Sequence, residues 1–131
     1  LKKIGLLLVA LLMLCSIPVS SVAAAGNGGW DYQGWRDFYY NYTYDWWDTT
    51  NVQSTGGSVL IQANSAIGYV EMWEHDPGSS NDDFVGSVNL SEWESKYWNI
   101  NSYVDGSNNR AEVYVRTYQN PGNYAAIYFW D

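Results

Sequence analysis

Residues 38–47 can be read as two interleaved rows, Phe38, Tyr40, Tyr42, Tyr44 and Trp46 on one parity and Tyr39, Asn41, Thr43, Asp45 and Trp47 on the other. Successive side chains of a strand point to opposite faces, so this spacing predicts one long strand with an aromatic face and a mixed face. Period-two alternation recurs at 58–62, 67–74, 84–90, 112–118 and 124–130, with shorter runs at 49–54 and 97–100. No segment carries the 3.6-residue apolar spacing of an amphipathic helix over three turns. Between the runs lie Thr55-Gly56-Gly57, Asp105-Gly106-Ser107-Asn108-Asn109 and Asn120-Pro121-Gly122-Asn123, residues that tolerate positive φ or preset a turn. Short strands at this spacing argue for an all-β sandwich or barrel, and the expected fold is a single antiparallel β-sandwich of about six to eight strands.

The first 25 residues break the pattern. Lys2 and Lys3 precede an apolar run at 4–14, then Pro18 and the small residues Ala23, Ala24 and Ala25. That is the order of a cleavable secretory signal, and the apolar run is shorter than the roughly 20 residues a membrane-spanning helix needs. The expected products are a signal peptide, residues 1–25, and one secreted domain, residues 26–131, with no transmembrane segment. Cys15 is the only cysteine and leaves with the signal, so the domain is expected to lack disulfides and to draw stability from a metal or an aromatic core.

Charge narrows the partners. Beyond residue 25 the basic residues are Arg36, Lys96, Arg110 and Arg116, while all 14 Asp and Glu remain. Binding to nucleic acid or to an anionic membrane relies on Lys and Arg neutralising phosphate, so neither fits this balance unaided. Divalent cations, cationic partners and neutral sugars do.

One segment concentrates the acidic groups: Glu74-His75-Asp76-Pro77-Gly78-Ser79-Ser80-Asn81-Asp82-Asp83. Four carboxylates in so short a loop repel one another unless a cation sits among them. Ca²⁺ is the expected cofactor, because it is held by Asp, Ser and backbone oxygens in flexible loops, whereas zinc prefers His and Cys. The spacing is not that of an EF-hand, since Ser87 stands at the twelfth position from Asp76. A solvated hairpin connection is the alternative reading of the loop.

The run Val70-Glu71-Met72-Trp73-Glu74-His75-Asp76, a polar loop, and then Asp82-Asp83-Phe84-Val85-Gly86-Ser87-Val88 resembles the third calcium loop of C2 domains. The resemblance covers residues 70–88 and implies a C2-like calcium-binding β-sandwich with metal ligands Glu74, Asp76, Asp82 and Asp83. It also implies calcium bridging to membrane headgroups. Glu74 stands where that family has aspartate, and the Asp-Pro-Tyr of the family's first calcium loop is absent. Asp45 and Asp48 are the only early candidates for its role.

Catalysis finds little support. His75 is the only histidine and no G-x-S-x-G elbow accompanies it, while Asp45 with Asp48 and Glu92 with Glu94 are sequence neighbours rather than carboxylates flanking a cleft. The chain carries 8 Trp, 12 Tyr and 3 Phe, all beyond residue 25, more than one small core absorbs. The expected function is a secreted, non-catalytic binding module with a calcium-filled acidic loop, acting at a cell surface or extracellular matrix. The alternatives are carbohydrate or cell-wall binding by exposed rings without calcium, or a small secreted toxin or antimicrobial protein. Trp46, Trp47 and Trp73 are the candidate ligand-binding rings, and a polysaccharide, cell-surface or headgroup ligand is the expected partner.

Overall fold

The computed structural model describes residues 29–78 and 81–131. The expected signal peptide at residues 1–25 lies outside the described residues.

The described residues form ten strands in two antiparallel sheets. They are β1 (Tyr32–Asp37), β2 (Tyr39–Asn41), β3 (Trp46–Asp48), β4 (Val52–Ser54), β5 (Ser58–Ala63), β6 (Gly68–Glu74), β7 (Asp83–Leu90), β8 (Ser95–Asn99), β9 (Ala111–Thr117) and β10 (Ala126–Trp130). The first sheet runs β1-β10-β5-β8 and the second β2-β3-β9-β6-β7, with β4 also paired to β9. The expected all-β, two-sheet antiparallel architecture is met, with ten strands among the described residues where about six to eight were expected. Among the described residues the one helical element is a 3-10 turn at Asn101–Tyr103, and no helix is long and apolar enough to cross a membrane.

The core follows from strand parity. Val59, Ile61 and Ala63 of β5, Val70 and Met72 of β6, Val113 and Val115 of β9, and Ile127 and Phe129 of β10 are all buried between the sheets, joined by Ile67, Leu90 and Ile100. The intervening residues of the same strands face outward. Gly86 of β7 is a point of close approach: a Cβ placed there would lie 2.2 Å from Nε1 of Trp98, so the absence of a side chain lets the β8 indole settle over β7.

The run at 38–47 is not one long strand. It is a hairpin, β2 and β3, joined by a turn at 42–45. Asn41 builds the turn, its carbonyl accepting the N–H groups of Tyr44 and Asp45 and its side-chain oxygen accepting that of Thr43, while Asp45 takes φ 64°. Tyr39 pairs with Asp48 and Asn41 with Trp46 across it. The strand β1 had no counterpart in the alternation. A register shift falls between Tyr32 and Gly34, and Gly34 sits at φ 91°, which breaks the two-residue rhythm.

Candidate functional site

The outer face of the six-stranded sheet is built around one cation. Arg116 lies on the outward parity of β9, opposite Asp48 of β3 and Glu71 of β6. Its neighbours in the sheet are Trp46, from the β3 position that shares Asp48's parity, and Trp73, from the β6 position that shares Glu71's. The guanidinium centre lies 3.7 Å from the centroid of Trp46, 4.6 Å from that of Trp73 and 5.5 Å from that of Tyr114. The side chain is buried although it belongs to an outer face, because the rings cover it.

Polar groups lock this stack. Arg116 Nε donates to Asp48 Oδ1 at 3.3 Å, and Asp48 Oδ2 accepts from Trp46 Nε1 at 2.7 Å and from Asn41 Nδ2 at 3.0 Å. An Arg116 amino group donates to the Tyr114 hydroxyl at 2.6 Å, and that hydroxyl donates to Asp82 Oδ2 at 2.7 Å. Burial first, and then the bond to Asp82, hold the Tyr114 hydroxyl well above its ordinary pKa. Trp73 Nε1 donates to Glu71 Oε2 at 2.9 Å. Arg116, Asp48, Trp46, Asn41, Tyr114, Asp82 and Trp73, with Tyr39, Tyr44 and His75, line an open groove of about 520 Å³, within the range of small-ligand sites. Rings supply its apolar surface, and fixed hydrogen-bonding groups stand beside them.

Of the sequence candidates, Trp46 and Trp73 meet in this groove. Trp47 does not, because one residue along β3 points to the opposite face; its ring packs edge-on to Tyr40 at 5.2 Å. Asp48 lies in the groove as the partner of Arg116, and Asp45 accepts a hydrogen bond from the Tyr40 hydroxyl at the exposed turn. Asp82 also faces the groove, its Oδ1 lying 3.0 Å from His75 Nδ1 and accepting the Asp76 N–H at 3.3 Å.

The other three acidic candidates gather behind that wall. Glu74 and Asp83 pair directly across β6 and β7, and one carboxylate oxygen from each of Glu74, Asp76 and Asp83 lies within 4.8 Å of the others. Glu74 is 1% exposed. One of its oxygens accepts the Glu112 N–H at 3.2 Å, and the other, Oε2, has no partner. Desolvation raises the Glu74 pKa to about 7, with Asp76, Asp105 and Glu112 adding to the rise, while the Glu112 N–H lowers it. Asp76 is raised for the same reasons, desolvation first and then the charges on Asp105, Asp83 and Asp82.

Sequence reasoning missed three contributors. Arg116 reads as an ordinary charged residue on a strand, though its parity with Tyr114 and Tyr118 places it in an aromatic row. Asp105 and Glu112 lie 22 and 29 positions beyond Asp83, the last residue of the acidic loop, and the pairing of Glu74 with Val113 across β6 and β9 brings that stretch near. A second aromatic surface also emerges, on the outside of the four-stranded sheet, where Tyr128 contacts Tyr32, Trp93 and Trp130 with centroids 6.2 to 6.3 Å apart.

Residues 32–129 match the family model described as the YndA coiled coil domain. The chain belongs to the YndA family. Its similarity to the uncharacterized protein YndA of Bacillus subtilis (strain 168) is 35% identity over 111 residues, covering 82% of this chain and 77% of the relative. The family's description speaks of a coiled coil, but the described residues of this YndA-family chain form no α-helix. Among solved structures, the chain is similar to a mutant of the family 29 carbohydrate-binding module CBM29-2, at 17% identity and a TM-score of 0.38 over 77% of each chain. It is also similar to a family 29 carbohydrate-binding module from Piromyces equi, at 16% identity and a TM-score of 0.33 over 79% of this chain and 77% of that one. At those scores the likeness bears on no functional point.

Proposed function

We propose that the protein is a secreted, non-catalytic binding module whose groove on the six-stranded sheet takes a neutral polysaccharide of a cell surface or extracellular matrix. The observation that supports this reading is the composition of the groove: the rings of Trp46, Trp73, Tyr39 and Tyr44 beside Arg116, Asp48, Asn41 and Asp82. Sugar rings present apolar C–H faces that stack on indole and phenol, and their paired hydroxyls match the planar hydrogen-bonding groups of Arg, Asp and Asn.

The charge pattern favours a neutral ligand. Arg116 is already neutralised by Asp48, so an anionic sugar would meet no free positive charge at the groove's centre. The chain as a whole carries a formal net charge of −8, which repels anions at longer range. Rigid aromatic side chains also lose little entropy on binding.

The test is affinity electrophoresis of residues 26–131 through gels containing soluble β-glucans, mannans or xylans, with EDTA present. Retardation by at least one neutral polysaccharide is expected, with at least tenfold weaker binding for Trp46→Ala and for Trp73→Ala. Binding that survives both substitutions but is lost in Trp93→Ala would move the site to the aromatic face of the four-stranded sheet. No retardation in any gel would overturn the proposal.

A further inference from the structure

The buried carboxylate at the end of β6 takes no part in the groove. Glu74 has the inward parity of Val70 and Met72, so the strand delivers an acid to a position where its predecessors are core residues. A buried carboxylate without its full set of partners is strongly disfavoured in ionised form, at least as much as by the loss of a charge-assisted hydrogen bond. Among the described residues no basic side chain offsets it. The Glu112 N–H satisfies one oxygen, Oε2 is left without a partner, and the groups around it are further acids: Asp83 directly across the β6–β7 pair, Asp76, and at longer range Asp105 and Glu112. Like charges directly opposite one another in a sheet are destabilising.

We infer that Glu74, Asp76 and Asp83 hold a calcium ion that joins the β6–β7 connection to the end of the sandwich. Oxygens sharing one calcium at 2.3 to 2.6 Å lie no more than about 5 Å apart. The three carboxylates already present oxygens within 4.8 Å of one another. The donor set is oxygen alone, because His75 is turned to Asp82 and away from the trio, which disfavours zinc. The unpartnered, fully buried Glu74 oxygen distinguishes this cluster from a solvated acidic loop, whose carboxylates would be hydrated.

This set differs from the one that the sequence resemblance implied. Asp82 belongs to the groove through Tyr114 and His75, and the added negative potential comes from Asp105 and Glu112 of the neighbouring hairpin. The site is separate from whatever fills the groove, so its test needs no sugar.

Calorimetric titration of the EDTA-stripped protein with CaCl₂ is expected to show one site, and calcium at about 100 times its Kd is expected to raise the melting temperature by about 10 °C or more. Asp76→Asn and Asp83→Asn should each weaken binding at least tenfold, and Asp82→Asn, which lowers the nearby charge without removing a ligand, should weaken it less than either. An absence of heat and of any melting shift at millimolar calcium overturns the inference. So does a calcium response that Asp76→Asn and Asp83→Asn retain, which would reflect the general acidity of the surface.

Discussion

Replacing Glu74 by glutamine removes the charge that the fold accommodates least well, and its consequence depends on pH. In the folded protein the Glu74 pKa stands at about 7, against an ordinary value of 4.5. The native state therefore holds its proton more tightly than the unfolded chain does, and stability falls as pH rises from about 4.5 to about 7, where the loss levels off. A rise of that size corresponds to roughly 3 kcal/mol above neutrality at 1.36 kcal/mol per pKa unit. Glutamine keeps the acceptor for the Glu112 N–H and offers donors toward Asp76 and Asp83. In EDTA, urea unfolding should give wild type and Glu74→Gln similar stability at pH 4.5 and a gap of about 3 kcal/mol in favour of the variant at pH 8. Calcium should close most of that gap by stabilising wild type alone. Parallel stability curves from pH 4.5 to 8 would refute the reasoning, because they would mean that the Glu74 carboxylate ionises without penalty.

Further outcomes follow from other contacts. Gly86→Ala places a methyl group 2.2 Å from Trp98 Nε1, so it should cost about 1 to 3 kcal/mol and shift Trp fluorescence; an unchanged melting temperature would contradict the packing. Arg116→Met strips Asp48 of its ionic partner while Trp46 and Asn41 still donate to it, for an expected loss near 3 kcal/mol in thermal melts. Adding Asp48→Asn should recover more than half of that loss, as a double-mutant cycle would show. Tyr114→Phe deletes the hydroxyl between Arg116 and Asp82 and should cost about 1 to 2 kcal/mol by urea unfolding.

The strands that the alternation revealed are those with one face in the core. Within 58–62, 67–74 and 112–118 the apolar pairs Val59 and Ile61, Val70 and Met72, and Val113 and Val115 stand two positions apart, and the structure places β5, β6 and β9 there. The stretch at 38–47 misled because aromatic residues occupy both parities, so alternation persisted through a turn whose cause is local: Asn41 accepting the following N–H groups and Asp45 at positive φ. Strand β1 was hidden by its irregular register near Gly34.

The candidate site was legible to the same degree. The acidic loop was visible because its residues are adjacent in sequence, and three of its four carboxylates converge. The assignment of Asp82 to a different network depends on Tyr114, 32 positions away, and the burial of Arg116 depends on strands β3 and β6 flanking β9. Such pairings are set by sheet order, which period-two patterning does not encode.

The Arg116-centred groove is the proposed site for a neutral polysaccharide. Its most direct measurement is intrinsic tryptophan fluorescence of the EDTA-treated protein titrated with the polysaccharide that retards it most in the gels, alongside Trp46→Ala and Trp73→Ala. A saturable change is expected in wild type, with at least tenfold weaker binding in each variant and variant folds intact by circular dichroism. A saturable wild-type signal with unchanged affinity in both variants, or no signal with any neutral polysaccharide, would contradict it.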